Sequence, residues 1–218
     1  MKKINLAFTL AEVLITLGII GVVAAMTIPS LMNNTQDTQY KSAYKKAYRD
    51  LSVAWAQMSN NNDVVSCSSN TDATCPYDNF EVLKNYIKVT INCVTGAGHV
   101  DQCWNMNGEK FNNAVPDVWT GAFIDTSGRS WVVVPGAYIG TLTTKGDGTQ
   151  ILVDTNGFNG PNQFGKDRFV LESSDSTTSG SWPRTSNSIV AVPDSSNNVV
   201  YCPKGATTPC YATSWLYN

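Results

Sequence analysis

Residues 2–29, KKINLAFTLAEVLITLGIIGVVAAMTIP, decide how the rest of the chain is read. From Phe8 to Ile28 run 21 residues whose only ionisable side chain is Glu12. At about 1.5 Å per residue a helix of this length reaches roughly 32 Å, enough to cross a bilayer. A carboxylate inside such a span carries a penalty of roughly 2.5 to 3.5 kcal/mol near the membrane centre. Two arrangements relieve it: Glu12 sits one turn from the interface and snorkels outward, or it meets a positive group supplied by another subunit.

Ala7, Phe8, Thr9, Leu10, Ala11 and Glu12 resemble the cleavage and methylation site of type IV prepilins and type II secretion pseudopilins. The resemblance implies that a prepilin peptidase cuts between Ala7 and Phe8 on the cytoplasmic side and methylates the Phe8 amine. It implies that Glu12 neutralises a neighbouring subunit's terminal amine during assembly, and that Pro29 is the proline of the family's first helix. Ala7 departs from the usual glycine before the cut, which implies slower processing. The rival is an ordinary secretory signal, with Lys2 and Lys3 as its basic part and a small-residue site near Ala24 or Ala25. The apolar run is longer than a typical signal core, and Glu12 interrupts it near its start.

The expected division is therefore a leader at 1–7, a membrane and assembly half-helix at 8–30, an amphipathic half-helix at 31–62 and an extracytoplasmic head at 63–218. Lys2 and Lys3 precede the span, so the positive-inside rule keeps the N-terminus in the cytoplasm and the head outside. The resemblance implies a single-pass inner-membrane precursor and then a filament at the surface or in the periplasm. It implies as partners other pilins in a homo- or hetero-polymer, the peptidase and an inner-membrane assembly platform.

The whole chain carries a net charge of −2, and loss of the two leader lysines makes it −4. No nucleic acid is expected as a partner. The six cysteines all lie in the exported part, which an oxidising compartment turns into disulfides. They fall into three close sequential pairs, and short loops are entropically easiest to close. We expect Cys67 with Cys75, Cys93 with Cys103, and Cys202 with Cys210. A structural zinc site would need closer-set pairs than these.

Beyond Pro29, Tyr40, Tyr44, Ala47, Leu51, Ala54, Trp55 and Met58 recur at three- and four-residue steps, the mark of an amphipathic helix. Lys41, Lys45, Lys46 and Arg49 fall mostly on its other faces, and Asn60 to Asp63 end it. A short second helix is expected over Asn79 to Tyr86, capped by Asp78, with Phe80, Leu83 and Ile87 inward. Phe123 and Ile124, the turn Asp125–Gly128 and Trp131 to Val134 predict a hairpin. The turn Lys145–Gly148 leads to a strand at Ile151 to Val153, and Phe169 to Leu171 is another. Glu172 to Ser181 reads as an exposed loop, while Ile189 to Val192 and Val199 to Tyr201 add edge strands. The fold class is α+β, a long N-terminal helix packed on a small antiparallel β-meander head.

Chemistry has few candidates. Asp154, Asn156, Asn159 and Asp167, set among glycines, offer the oxygens a calcium loop needs, although the EF-hand pattern and its bidentate Glu are missing. The other reading is an Asn/Gly turn held by side-chain to backbone bonds. Gly160 to Lys166 matches the start of a P-loop, but Asp167 stands where Ser or Thr must bind magnesium and a strand follows. His99 is the only histidine and lies in a glycine-rich loop without a nucleophile elbow or zinc-binding helix, so no enzyme is expected. Trp104, Trp119, Trp131, Trp182 and Trp215 serve either as core or as a sugar- or surface-binding patch. The reading is a structural filament subunit. A minor pilin that binds surfaces, glycans or DNA is the alternative, and an anchored extracytoplasmic enzyme is more remote.

Overall fold

The computed structural model of the chain describes residues 9–66, 74–93, 102–105, 121–134, 149–174 and 188–191. The chain divides into two compact units, Met1–Gln39 and Tyr40–Asn218. The first helix, α1 (Leu10–Asn60), belongs to both. Pro29 lies inside it without ending it. Proline there removes one backbone donor, and the helix continues on the bonds of the neighbouring turns.

In the first unit the apolar residues of α1 are exposed: Leu14, Ile15, Leu17, Ile19 and Ile20 each keep about three-fifths of their surface. Among the described residues, one helical stretch, Leu10–Pro29 of α1, is long and apolar enough to cross a membrane, with a mean hydropathy of 2.2 and none of it buried within the chain. Its hydroxyls return to the helix itself. Thr16 Oγ1 donates to the Val13 carbonyl at 3.0 Å and Thr27 Oγ1 to that of Val23 at 2.9 Å. A polar group in hydrocarbon must be satisfied internally, and these are.

In the second unit the three- and four-residue spacing does what it foretells. Tyr44, Ala47, Leu51, Ala54, Trp55 and Met58 are buried, whereas Lys45, Lys46 and Arg49 are exposed. The helix stops on a left-handed Asn62, φ 61°. The Asp63 amide donates to the Met58 carbonyl at 2.9 Å and that of Asn62 to Ser59 at 3.1 Å, the paired bonds that close a helix whose next residue turns left-handed.

Helix α2 spans Cys75–Leu83 and starts from Thr74, which makes no side-chain cap. This corrects the expected start at Asn79 under an Asp78 cap. A proline in the first turn tolerates a missing amide, so the helix begins earlier, and Asp78 lies within its first turn near the positive end of the dipole. Phe80 and Leu83 are buried as expected, and Ile87 packs against the core from its rim.

Among the described residues the sheet has six antiparallel strands in sequence order: β1 (Val89–Cys93), β2 (Gly121–Asp125), β3 (Ser130–Val134), β4 (Gln150–Asp154), β5 (Arg168–Ser174) and β6 (Ser188–Ala191). Register places Phe123, Trp131, Val153 and Phe169 in one row across four strands, with Val133, Ile151 and Leu171 in the next. These rows and the α1 stripe form one core. Tyr44 meets Phe169 with ring centroids 4.4 Å apart, and Phe80 meets Phe123 at 5.1 Å. The opposite face is buried too, at Ala122, Val132, Leu152 and Val170. That is why these strands read as apolar runs with little alternation.

Two expectations change here. Glu172 to Ser174 continue β5 instead of opening a loop, with Ser173 fully buried, because Ser174 still pairs with Ser188. Strand β1 was not foreseen. The expected turn at Lys145–Gly148 and strand at Val199–Tyr201 lie outside the described residues.

Candidate functional site

Glu12 is the one carboxylate of the apolar segment, and its surroundings come from the residue three positions earlier. Thr9 precedes the first helical residue, and its hydroxyl accepts the Glu12 amide at 3.3 Å. In return Glu12 Oε2 accepts the Thr9 amide at 2.9 Å and the Thr9 hydroxyl at 3.0 Å. This is a reciprocal capping box, in which two orphan amides at the start of a helix find partners. The acid thus sits against the positive end of the helix dipole. All the bonds from Thr9 converge on Oε2, so one oxygen is committed within the chain. Ala7 and Phe8 lie outside the described residues.

The cysteine expectations divide in the same way. Cys93 and Cys103 are joined, with Cα atoms 6.0 Å apart. Cys75 is disulfide-bonded as well. Cys67, Cys202 and Cys210 lie outside the described residues, as do His99, Trp119, Trp182 and Trp215. Trp104 and Trp131 are buried, which is the core reading of the aromatic residues.

The oxygen-rich loop between β4 and β5 holds the residues considered for calcium. Asp154 and Arg168 are register partners at the loop end of the two strands, both sealed from solvent. Arg168 Nε donates to Asp154 Oδ2 at 2.9 Å, and Nη2 donates to Asn162 Oδ1 at 3.1 Å. The guanidinium lies over the Trp104 ring, 4.7 Å from its centroid. Asp167 receives the Asn162 and Gln163 amides at 2.7 Å each, one on each oxygen. Asn156 Nδ2 donates to the Gly160 carbonyl and Asn159 Nδ2 to that of Asn156. Burial pushes the Asp154 carboxyl up to about 7; Arg168 opposes this through its hydrogen bond, and the nearby Asp167 charge adds to the rise.

A calcium ion takes roughly six to eight oxygen ligands. Here the Arg168 guanidinium bridges Asp154 and Asn162, and each Asp167 oxygen accepts one backbone amide. Among the described residues, no three of His, Cys, Asp and Glu gather into a cluster that could hold a metal. The side-chain to backbone bonds in this loop are those the second reading, a polar turn, calls for. Lys166, the lysine of the P-loop match, is exposed, and strand β5 follows where a phosphate site needs a helix.

Comparisons with protein-family models, curated proteins and solved structures return no match.

A second polar centre was not anticipated. Asp125, in the β2–β3 turn, accepts the Ser127 and Arg129 amides on Oδ1 and the Arg129 Nε and Trp131 Nε1 protons on Oδ2. Arg129 Nη2 reaches Asp50 of α1 at 2.8 Å. The only signal in the sequence was an Asx-type turn at Asp125. The arginine's cross-element partner could not be read, because it lies 79 residues away.

Proposed function

We propose that this chain is a structural subunit of a type IV pilus or a type II secretion-like pseudopilus, anchored in the inner membrane with its head outside. The observation that carries the reading is the apolar half of α1, exposed along Leu10–Pro29 and headed by an acid. Such a surface must be covered, by lipid or by other helices of the same kind. Membrane and filament core cover it equally well, since exchanging one for the other involves no large hydrophobic gain.

In this reading a prepilin peptidase cuts between Ala7 and Phe8 and methylates the new amine. Glu12 then pairs with the amine of a neighbouring subunit as the helix leaves the bilayer. An inner-membrane assembly platform drives the transfer. Thr9 keeps its amide and hydroxyl after the cut, so the carboxylate still enters the filament oriented by its cap. The head needs no catalytic role.

The test is the intact mass and N-terminal sequence of protein from the cell envelope and from sheared surface material, with Glu12→Leu alongside wild type. We expect an N-methylated Phe8 terminus in both proteins, and filaments from wild type alone. A start near Thr27, or wild-type filament yield from Glu12→Leu, overturns the reading.

A further inference from the structure

In the second unit, the face of α1 turned away from the core carries a band of positive charge. Lys45, Lys46 and Arg49 are exposed there, on the side of the helix opposite Tyr44, Ala47 and Leu51. Among the described residues no ion pair within the chain reaches Lys45 or Lys46. Arg49 meets Asp50 only at 3.6 Å, and Asp50 is held more closely by Arg129 at 2.8 Å. Lys45 and Arg49 stand one helical turn apart, a spacing at which like charges destabilise a helix. Such a band gains from acids brought by another molecule.

The chain carries such acids at another height. Beyond the C-terminal end of α1, Asp63 and Asp78 are both exposed. The buried Asn79 side chain draws their two segments together, since it accepts the Val65 amide at 2.7 Å and donates to the Val65 carbonyl at 3.0 Å. Asp63 accepts the Tyr86 hydroxyl, which leaves its charge in place, and Lys84 is already matched by Glu81. Among the described residues no ion pair neutralises Asp63 or Asp78. From Lys46 to Asn60, where α1 ends, the helix rises about 20 Å.

We infer that the basic band of one copy receives the Asp63 and Asp78 acids of a second copy displaced by about 20 Å along the helix axis. The inference rests on the filament reading and names a contact within it. Copies anchored in one bilayer point the same way and sit at one height, so a side-by-side neighbour brings bases to bases and acids to acids. Only a copy raised from the lipid brings its basic band level with its neighbour's acids.

The contact therefore belongs to the filament and not to the membrane pool. It favours assembly in a step where the exchange of lipid for helices gives no large gain of its own. It also joins two different patches at a fixed shift, so it repeats from copy to copy without closing, and the product is an open polymer.

The test is zero-length carbodiimide cross-linking of the full chain, in sheared filaments and in membranes holding Glu12→Leu, read by peptide mass spectrometry. A carbodiimide joins an amine and a carboxylate only in contact, so a link between groups about 20 Å apart in one chain must run between copies. Links from Lys45 or Lys46 to Asp63 or Asp78 are expected in filaments and not in the membrane-held variant. Lys45→Glu with Lys46→Glu lowers filament yield about tenfold, Asp63→Lys with Asp78→Lys does the same, and the four changes together restore it. That recovery separates a charge contact from misfolding. Filaments without the links, equal links in the membrane-held variant, wild-type yield from either reversal, or no recovery in the combined variant overturns the inference. Wild-type yield from the lysine reversal together with lost DNA binding gives the band to nucleic acid instead. The N-methylated Phe8 terminus tells the two failures apart: filaments that carry it but lack the links remove this contact alone, whereas its absence removes the pilin reading and this contact with it.

Discussion

Asp154 and Arg168 face each other as the last residue of β4 and the first of β5, 2.9 Å apart and closed off from water. The pair is the hinge pin of the loop between them, because Arg168 also reaches Asn162 within that loop. Burying two charges brings a desolvation penalty that their attraction only partly offsets. The Asp154 carboxyl, pushed up to about 7, is where that penalty surfaces.

A pH dependence follows with a definite sign. The folded chain holds the Asp154 proton up to about 7, whereas the unfolded chain releases it near 3.8, the ordinary value for an aspartate. Between these values the folded state binds more protons, so stability falls as pH rises. The melting temperature of the detergent-solubilised chain is expected to drop between pH 5 and pH 8, and Asp154→Asn should flatten that drop. An equal slope in the variant would assign the dependence to other groups.

Thr9→Val removes the hydroxyl that both donates to and accepts from Glu12, at equal side-chain volume. Loss of such a cap typically costs about 1 kcal/mol of helix stability. Amide exchange at Leu10 to Glu12 in micelles should therefore quicken about fivefold, with Thr9→Ser close to wild type. Equal exchange in all three proteins would mean that lipid contacts alone hold the first turn.

Joint replacement of Cys93 and Cys103 by serine opens a loop with a sequence separation of 10. A closed loop of that size contributes about 2 to 3 kcal/mol in the chain-entropy account. It also holds Trp104 and Asn105 near Arg168 and Phe158. The urea midpoint should fall accordingly. A midpoint within error of wild type would show that the other contacts of Trp104 suffice.

Gly157→Ala meets two obstacles at once. Its φ is +67°, where a side chain is strained, and the new methyl would strike the Gly128 carbonyl. A loss of about 2 kcal/mol or more is expected. Gly128→Ala, also at positive φ but with open space around it, should cost about 1 kcal/mol. Equal losses would mean that the two turns separate at little cost.

What was legible in the sequence were features with a local cause. The α1 stripe, the polar stop after Asn60, the hairpin about Asp125–Gly128 and the apolar cores of β4 and β5 each announce themselves through periodicity or turn chemistry. Strand β1 does not. Thr90, Ile91 and Asn92 are all exposed, so this edge strand carries neither alternation nor an apolar run. Asp154 and Asp167 were visible as acids, but Arg168 was not visible as their counter-ion, because that role depends on strand register. Thr9 went unrecognised although Thr-x-x-Glu is a local signature. The membrane reading of the segment drew attention to where the acid lies rather than to what holds it.

The strand order carries one more consequence. Among the described strands, each from β2 onward pairs with the one just before it, so only β1 waits for a later strand, and that is the next one. A chain delivered N-terminus first, its leading helix threaded before anything else, can lay down the sheet one hairpin at a time as residues emerge. The aggregation-prone interval in which apolar strands lie bare is then only as long as the synthesis of the next hairpin.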